Sequence, residues 1–269
     1  MGILDGRVIL ITGAGRGQGR SHALRVAEEG GQPVLVDLGT GQVRNPDYPT
    51  ATPQDLDETG ALLDKQGTDT MAFEADVRDL TRMEEVCAQT VERYGHLDGV
   101  VANAGIGDAF CPAWDIELTH WQTMLDVNLT GVFITCKAAI PYLLRSPGSS
   151  LVLVSSVAGI KPIPYFAHYT VAKAGVRSLA LTLAVELGPL GVRCNSLHPG
   201  AIDSPMTDAI SGMTHIKRDD FLDQFRSNQA IPEVMTPRDT SAAVVWLLSD
   251  QAAHVTGLEM TVDAGETKK

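Results

Sequence analysis

Residues 8–19 read VILITGAGRGQG, a short apolar run followed at once by a glycine-rich loop. An unbroken run of Val, Ile and Leu is typical of a parallel strand that is buried on both faces. A helical pattern follows over residues 20–29. Because a glycine-rich backbone between a strand and a helix can approach a pyrophosphate at the helix N-terminus, this stretch predicts phosphate binding. A flexible turn explains one or two glycines, but it poorly explains the four found in this setting.

The glycine spacing differs from two common nucleotide-binding patterns. Gln18 stands where G-x-G-x-x-G would need its third glycine, and the Gly-Lys-Ser/Thr ending of a mononucleotide loop is absent. The pattern is instead Thr-Gly-x-x-x-Gly-x-Gly, which runs from Thr12 to Gly19. The loop residues that we expect to contact a dinucleotide are Gly13, Arg16, Gly17, Gln18 and Gly19.

The second predicted strand, residues 33–36, is followed by Asp37, 18 residues after Gly19. A carboxylate at this place in a dinucleotide-binding unit hydrogen-bonds the adenosine ribose and repels a 2′-phosphate. Arg16 argues the other way, since a cation in the loop could meet that phosphate. We favour Asp37, because its carboxylate would lie on the ribose itself, and we therefore predict NAD rather than NADP. Leu38 is included in the predicted cofactor site.

Apolar runs and helical patterns alternate along the rest of the chain. Further strands are predicted at residues 70–75, 98–102, 150–154, 191–197 and 258–262. Further helices are predicted at residues 54–66, 80–94, 119–144, 167–187 and 236–248. Residues 40–53 are rich in Gly, Pro, Asn and Asp, which predicts a long loop. The alternation indicates an α/β fold with a parallel sheet. Because no internal repeat or linker divides the chain, we predict a single domain over residues 1–269.

Small and polar residues follow two of the predicted strands. Asp76 and Val77 follow the third strand, and Asn103-Ala104-Gly105 follows the fourth. Small residues at the carboxyl end of a strand let a cofactor lie close to the backbone, although a tight turn explains the triplet equally well in isolation. Residues 201–228 carry several apolar side chains and are predicted to form a lid over a substrate.

Tyr169 and Lys173 lie four residues apart in the predicted helix over residues 167–187. Side chains at this spacing lie on one face of a helix, so the phenol and the ammonium can converge. A cation about 4 Å away favours phenolate by roughly 4 kcal/mol at an effective dielectric constant of about 20. The tyrosine pKa would fall, and the phenol would become a usable base. Tyr and Lys four apart also occur often on solvated helix faces, so the surrounding motifs decide.

The composition argues against several classes of partner. The 269-residue chain has a net charge of −12 and no run of Lys or Arg, which disfavours nucleic acid or an anionic membrane. Four scattered cysteines without C-x-x-C spacing favour reduced thiols over disulfides or a metal site. The N-terminus has no signal-peptide pattern, and the apolar stretch 131–144 is too short to span a bilayer. We therefore expect a soluble, cytoplasmic protein without a bound metal.

Taken together and in order, these motifs resemble those of the short-chain dehydrogenase/reductase family over nearly the whole chain. The matching residues are Thr12-Gly13-x-x-x-Gly17-x-Gly19, Asp76-Val77, Asn103-Ala104-Gly105, Asn128, Ser155-Ser156, Tyr169-x-x-x-Lys173 and Pro199-Gly200-x-x-x-Ser204. Within the family, residues 16–22 (RGQGRSH), the loop over 40–53 and residues 76–79 (DVRD) are similar to the carveol dehydrogenase group of actinobacteria. Members of that group are often linked to mycofactocin as an electron carrier.

The resemblance implies a single Rossmann-type, doubly wound domain with a seven-stranded parallel sheet and helices on both faces. It implies that Tyr169 is the general acid/base and that Lys173 lowers its pKa and binds the nicotinamide ribose. Ser156 would hydrogen-bond the substrate oxygen, and Asn128 would help to hold a water-linked proton relay. Ser204 stands where threonine is usual in the family and keeps the hydroxyl. The remaining cofactor contacts are implied at Asp76, Val77, Asn103, Ala104, Gly105, Tyr169, Lys173, Pro199, Ile202 and Ser204.

The expected activity is therefore oxidation of an apolar secondary alcohol by NAD, with a cyclic terpenoid such as carveol as the candidate substrate. A homotetramer or dimer built on the helices that carry Asn128 and Tyr169, and mycofactocin as electron acceptor, are also implied. The same residues suit a reductase of ketones, steroids or acyl thioesters. A dinucleotide-binding regulator without chemistry would be expected to lose Tyr169, Lys173 or Ser156, and all three are present.

Overall fold

A computed structural model describes residues 2–38 and 50–269. Its centre is a seven-stranded parallel sheet with the strand order β3-β2-β1-β4-β5-β6-β7. The strands are β1 Val8–Thr12, β2 Gln32–Asp37, β3 Met71–Glu74, β4 Gly99–Ala102, β5 Ser150–Val154, β6 Arg193–Pro199 and β7 Glu259–Val262. The predicted α/β fold with a seven-stranded parallel sheet is confirmed.

Helices cover both faces of this sheet. They are α1 Gly17–Glu28, α2 Pro53–Lys65, α3 Leu80–Tyr94, α4 Leu118–Leu125, α5 Gly131–Leu143, α6 Ala167–Leu187, α7 Pro205–Thr214, α8 Arg218–Asn228 and α9 Pro237–Leu248. In β1, Leu10 packs in the core shared with α3, α5 and α6. Its neighbours Ile9 and Ile11 pack in the core shared with α1, α2 and α9. This alternation follows from the period of two in a strand and explains why the whole run is apolar.

The strand order places a crevice at the carboxyl ends of β1 and β4. β1 lies between β2 and β4, so the chain leaves β1 towards one edge of the sheet and returns to β4 on the other side. The loops that follow these two strands therefore diverge. Ligands of open parallel sheets bind at such a reversal of strand order.

The predicted helix over residues 119–144 is interrupted. α4 ends at Leu125, a π-helical turn covers Asp126–Thr130, and α5 begins at Gly131. Leu118–Leu143 as a whole has the length and hydropathy of a membrane-spanning helix, but half of its most apolar window is buried within the protein. It packs against α3 and α6, as the core helices of soluble proteins do.

The ends of the elements differ from the predicted ends by a few residues. α3, α6 and β5 have the predicted bounds, whereas α1 begins three residues earlier than predicted, at Gly17. Most of the loop predicted over residues 40–53 lies outside the described residues. At its end, Thr52 caps α2 through a reciprocal pair of hydrogen bonds with Asp55.

Candidate active site

A cleft opens at the carboxyl ends of β1 to β4. It encloses about 920 Å³ when the part open to solvent is counted. Twelve of the predicted cofactor residues line it, namely Gly13, Arg16, Gly17, Gln18, Asp37, Leu38, Asp76, Val77, Asn103, Ala104, Gly105 and Ser204. The structure therefore brings together predicted residues that are far apart in the sequence, from Gly13 to Ser204.

The glycine loop owes its shape to two different requirements. A Cβ atom at Gly19 would lie 2.0 Å from the Gly13 carbonyl oxygen, so Gly19 is needed for packing within the loop. Gly17 has a φ of 55°, and a Cβ there would meet only Pro205, at 3.5 Å. α1 begins at Gly17 without an acidic residue in its first turn. Its N-terminus therefore faces the cleft as a site for an anion.

The Gly15 carbonyl is held by residues that the sequence analysis did not single out as cofactor contacts. It accepts hydrogen bonds from Arg20 Nε at 2.9 Å, from Arg20 Nη2 at 2.6 Å and from Thr59 Oγ1 at 2.9 Å. Arg20 Nε also donates to Thr59 Oγ1. These bonds fix the loop against α2, and no spacing in the sequence marks a partner 39 residues away.

Asp37 lies at the end of β2 with its carboxylate turned towards the glycine loop. Oδ2 accepts a hydrogen bond from Gly15 N at 2.7 Å, and Oδ1 accepts one from Leu38 N at 2.8 Å. Burial raises the pKa of Asp37, while these two N–H groups and the charge of Arg16 act in the opposite direction. Since a carboxylate oxygen can accept more than one hydrogen bond, both oxygens can also receive ribose hydroxyls.

Asp76 closes the cleft on the side of β3. Arg78 Nε lies 2.9 Å from Oδ1 and 3.0 Å from Oδ2 of its carboxylate, and the Arg78 N–H donates to Oδ1 at 2.9 Å. Burial alone would raise the pKa of Asp76, but the hydrogen bonds and charge of Arg78 outweigh it and lower the pKa. Asp76 therefore presents a fixed carboxylate to the cleft.

The ends of β1 and β4 are joined by Thr12. Its hydroxyl accepts hydrogen bonds from Asn103 N at 3.0 Å and Ala104 N at 3.1 Å, and Asn103 Nδ2 donates to the Thr12 carbonyl at 2.9 Å. Thr12 belongs to the glycine motif, and the structure adds that it fixes the width of the crevice.

Lys173 reaches the same crevice from α6. The residue is 3% exposed, and its ammonium donates to the Val154 carbonyl at 3.0 Å and lies 5.7 Å from the centre of the Tyr169 ring. Burial lowers the pKa of Lys173 from 10.5 to about 8. A Cβ atom placed on Gly105 would lie 3.5 Å from Nζ and 3.2 Å from Asn128 Oδ1. The ammonium of Lys173 therefore lies directly behind Gly105, which lines the cleft.

Ser156 lies beyond the end of β5. Its Oγ accepts a hydrogen bond from Ala158 N at 3.1 Å, which leaves the hydroxyl proton to be donated elsewhere. The neighbouring Ser155 Oγ donates to the Lys173 carbonyl at 2.7 Å and so ties β5 to α6. The Ser156 carbonyl is paired with His198 Nδ1 at 3.0 Å.

Asn128 lies in the π-helical turn and has no exposed surface. Its Oδ1 accepts from Ile106 N at 2.8 Å, and its Nδ2 lies 2.8 Å from the Ile106 carbonyl and 2.9 Å from Met124 Sδ. The amide is thus used to hold the loop after β4, just behind Gly105.

The four predicted catalytic residues are not among the residues that line the cleft, although Asn128 and Lys173 lie directly behind Gly105. Tyr169 is 8% exposed and its ring stacks on that of Phe166, with centroids 4.5 Å apart and planes 10° apart. The apolar cluster around it includes Met206 and Ile210 of α7. The predicted contacts Gly19, Pro199 and Ile202 also lie outside the wall. Ile202 is bridged to Met235, and Pro199 pairs with Val262.

Metal binding finds no support in the part of the chain that the structure describes. There, no three His, Cys, Asp or Glu side chains come together as a metal site would require. The four cysteines are free thiols, and three of them are buried.

Comparison with known proteins agrees with this geometry. Residues 13–267 match a family model described as Enoyl-(Acyl carrier protein) reductase. (-)-trans-Carveol dehydrogenase of Rhodococcus erythropolis is 40% identical over 278 residues, and the match covers 100% of both chains. The crystal structure of carveol dehydrogenase from Mycobacterium avium in complex with NAD is 38% identical, with a TM-score of 0.94 and 100% of both chains covered. The chain belongs to the short-chain dehydrogenase/reductase family.

One further relative is named for a steroid alcohol. 3-alpha-(or 20-beta)-hydroxysteroid dehydrogenase of Mycobacterium tuberculosis is 33% identical over 265 residues, and the match covers 98% of this chain and 90% of that protein. The relatives therefore include proteins named for terpenoid and for steroid alcohols.

The cleft of this short-chain dehydrogenase/reductase suits a dinucleotide along its length. The uncapped N-terminus of α1 can receive the pyrophosphate, and Asp37 can receive the adenosine ribose. At the other end, Gly105 lines the cleft, and the ammonium of Lys173 lies close behind it.

Proposed function

We propose that this chain oxidises an apolar secondary alcohol with NAD, and that a cyclic terpenoid such as carveol is its type of substrate. The observation that carries the proposal is the buried Lys173 ammonium, which lies beside Tyr169 and directly behind Gly105 in the cofactor cleft. Tyr-Lys pairs at this spacing are common on solvated helix faces. The burial of this pair beside the cofactor cleft is what supports a role in proton transfer.

The residues of the chain account for the movement of the proton. Tyr169 accepts the proton of the substrate hydroxyl, and the ammonium of Lys173 stabilises the phenolate that this requires. Ser156 donates a hydrogen bond from its hydroxyl to the same substrate oxygen, holds that oxygen in place and keeps its own proton. When bound, NAD supplies the acceptor for the hydride that leaves the alcohol carbon.

Asn128 contributes through its backbone in this scheme. Its side-chain amide is occupied by Ile106 and Met124. The proton relay expected of Asn128 therefore falls to its main-chain carbonyl, which lies in the π-helical turn. Cofactor and substrate sites would belong to one domain over residues 1–269, with residues 201–228 as the lid. The apolar side chains of α7 next to Tyr169 support an apolar substrate.

Assembly and electron flow follow from the narrower likeness to carveol dehydrogenases. The chain would form a homotetramer in the cytoplasm, and mycofactocin would take the electrons from the reduced cofactor. Apolar side chains exposed on α5 and α6 support the assembly.

Activity with (-)-trans-carveol and NAD tests the proposed function. Wild-type protein should form NADH and the ketone, and Tyr169→Phe should lower kcat by about 10²–10⁴-fold because the proton acceptor is lost. Tyr94→Phe, a change at the end of α3 away from the cleft, is the control and should retain the wild-type rate. Carveol turnover by Tyr169→Phe at the rate of the wild type would remove the proposal.

Reduction of a ketone or steroid is the second candidate function. The similarity to a hydroxysteroid dehydrogenase favours it, and the same residues can return a proton to a carbonyl. Assays of carveol with NAD and of a 20-ketosteroid with NADH, run side by side, would separate the two. A higher kcat/KM for the ketosteroid would favour reduction.

A further inference from the structure

A buried carboxylate lies between two histidines close to Tyr169. Asp108, in the loop after β4, has no exposed surface. Its Oδ1 lies 3.0 Å from His168 Nε2, and its Oδ2 lies 3.3 Å from His120 Nδ1. His168 is equally buried and directly precedes Tyr169, while His120 belongs to α4 and its side chain is 20% exposed.

Such an arrangement is costly unless the carboxylate is well partnered. In the described part of the chain, His168 Nδ1 has no hydrogen-bond partner. Because a carboxylate only accepts hydrogen bonds, Nε2 is the ring nitrogen of His168 that donates to Asp108. Asp108 therefore selects the tautomer and the orientation of the His168 ring.

The rings of His168, Phe166 and Tyr169 contact one another in that order. Phe166 meets His168 edge to face, with centroids 5.5 Å apart and planes at 78°. The same Phe166 ring stacks on Tyr169 at 4.5 Å. Phe166 thus lies between the imidazole and the phenol, so a change in the imidazole orientation is passed to the phenol by direct packing.

Backbone strain marks the segments that Asp108 connects. Ala109 has a φ of 45° and Tyr165 a φ of 64°, although neither is glycine, and the Cys111 N–H joins the two segments by donating to the Tyr165 carbonyl at 2.9 Å. Non-glycine residues keep such angles only where the surroundings hold them. α6 also begins at Ala167 without a side-chain cap, so a negative charge beside its first turn is favourable.

We propose that Asp108 is a positioning residue of this enzyme, which acts through His168 and Phe166 to hold the phenol of Tyr169 in its reactive orientation. The proposal rests on the proposed function, because the orientation matters only if Tyr169 transfers a proton. It assigns Asp108 no contact with substrate or cofactor.

Four variants distinguish the contribution of the Asp108 carboxylate from that of the aromatic rings. His168→Gln can still donate to Asp108 from its amide but removes the ring that packs on Phe166. Asp108→Leu removes the acceptor for His168. Asp108→Asn keeps an acceptor oxygen in a side chain of the same shape, and His120→Gln changes the second, partly exposed histidine beside Asp108.

Steady-state kinetics with carveol and NAD provide the measurement, with the rate normalised to the NAD-binding sites found by titration. His168→Gln and Asp108→Leu should lower kcat by about ten- to a hundred-fold, as small displacements of reacting groups do. NAD affinity and the KM for carveol should stay within about twofold of the wild type, because the cofactor cleft is untouched. Asp108→Asn should restore most of kcat, and His120→Gln should stay close to the wild type.

A surface pair serves as the matched control. His96 Nε2 lies 3.1 Å from Asp98 Oδ2, and the His96 side chain is 43% exposed, so His96→Gln makes the same substitution away from the cleft and should leave kcat unchanged. Wild-type rates per NAD site in both His168→Gln and Asp108→Leu would overturn the proposal, as would a loss of NAD affinity in step with kcat. If Asp108→Leu binds no NAD, His168→Gln decides alone, since it keeps the buried carboxylate partnered. Absence of wild-type turnover would instead contradict the proposed function.

Discussion

Lys173 carries a positive charge into the interior, where it lies beside Tyr169. The residue is 3% exposed, and its ammonium donates a hydrogen bond to the Val154 carbonyl. Its pKa of about 8 means that the folded, cofactor-free protein releases this proton more readily than the unfolded chain. The buried cation is thus held at a cost to stability.

The cost should be visible as a dependence of stability on pH. Between the folded pKa of about 8 and the ordinary value of 10.5, the unfolded chain binds more protons at this residue than the folded protein. The stability contributed by Lys173 therefore rises with pH in this window, by at most about 1.4 kcal/mol per pH unit, and the full cost is present below about pH 8.

Urea unfolding of Lys173→Met without cofactor measures this effect. The stability of the variant relative to the wild type should be greatest near pH 7 and should fall between about pH 8 and about pH 10. Lys65→Met, which changes an exposed residue of α2, should show no such trend. A difference that does not vary with pH would contradict the burial of the charge.

Single residues were predictable where their chemistry is local in sequence. Asp37 follows a recognisable strand, and Lys173 follows Tyr169 by one helical turn, so the position of both at the cleft could be predicted, while their roles stay predictions. Asp108 and His168 are 60 residues apart, and their contact depends on how the loop after β4 meets α6. No spacing in the sequence reports that meeting.

Among the elements, α7 and α8 are held at both ends by the C-terminal segment. The Ala201 N–H, before α7, donates to Glu266 Oε2 at 3.1 Å. After α8, the Ala230 and Ile231 N–H groups donate to the Ala264 carbonyl at 2.9 and 3.0 Å. The two ends of the proposed lid, which we call its first hinge (Ala201) and its second hinge (Ala230 and Ile231), are therefore both bonded to the C-terminal segment.

Glu266→Ala should loosen the first of these hinges. The variant leaves the Ala201 N–H without its charged acceptor, which should reduce the local stability of α7 by about 1–3 kcal/mol. Hydrogen exchange of the α7 amides should become faster, while exchange in β1 should not change. The control is Glu233→Ala, which removes an exposed carboxylate beyond the second hinge. Equal exchange rates in α7 of both variants would contradict the anchoring role of Glu266.

The helix predicted over residues 119–144 contains an interruption that hydrophobic periodicity does not predict. Its apolar pattern continues through Asp126–Thr130, yet the backbone there forms a π-helical turn. Asn128 bonds to both backbone groups of Ile106, 22 residues away, and this tertiary contact accompanies the departure from α-helical geometry. α3, which has no such contact imposed on it by the cleft, has the predicted bounds.

At the scale of the whole molecule, one of the two helical layers exposes several large apolar side chains. α5 and α6 cover one face of the sheet, and the apolar side chains that they expose include Phe133, Val171 and Val185. Val185 is 78% exposed. Large apolar side chains exposed on the same two helices are consistent with the proposed assembly through these helices.

Val185→Glu should weaken that assembly. A carboxylate brought into an apolar interface between two copies has no partner, so light scattering should show a shift towards smaller species. Ala88→Glu, which places the same charge on the exposed side of α3, should leave the mass unchanged. An unchanged mass for Val185→Glu would place the interface on another surface.

The two hydrogen bonds that Asp37 accepts limit how the enzyme could be redesigned for a phosphorylated cofactor. Replacing Asp37 with a small or basic residue would remove the repulsion of a 2′-phosphate, but it would also release Gly15 and Leu38 from their common acceptor. A change of cofactor preference would thus come with a looser phosphate loop. A designer would have to supply a second acceptor for the Gly15 N–H before exchanging the carboxylate.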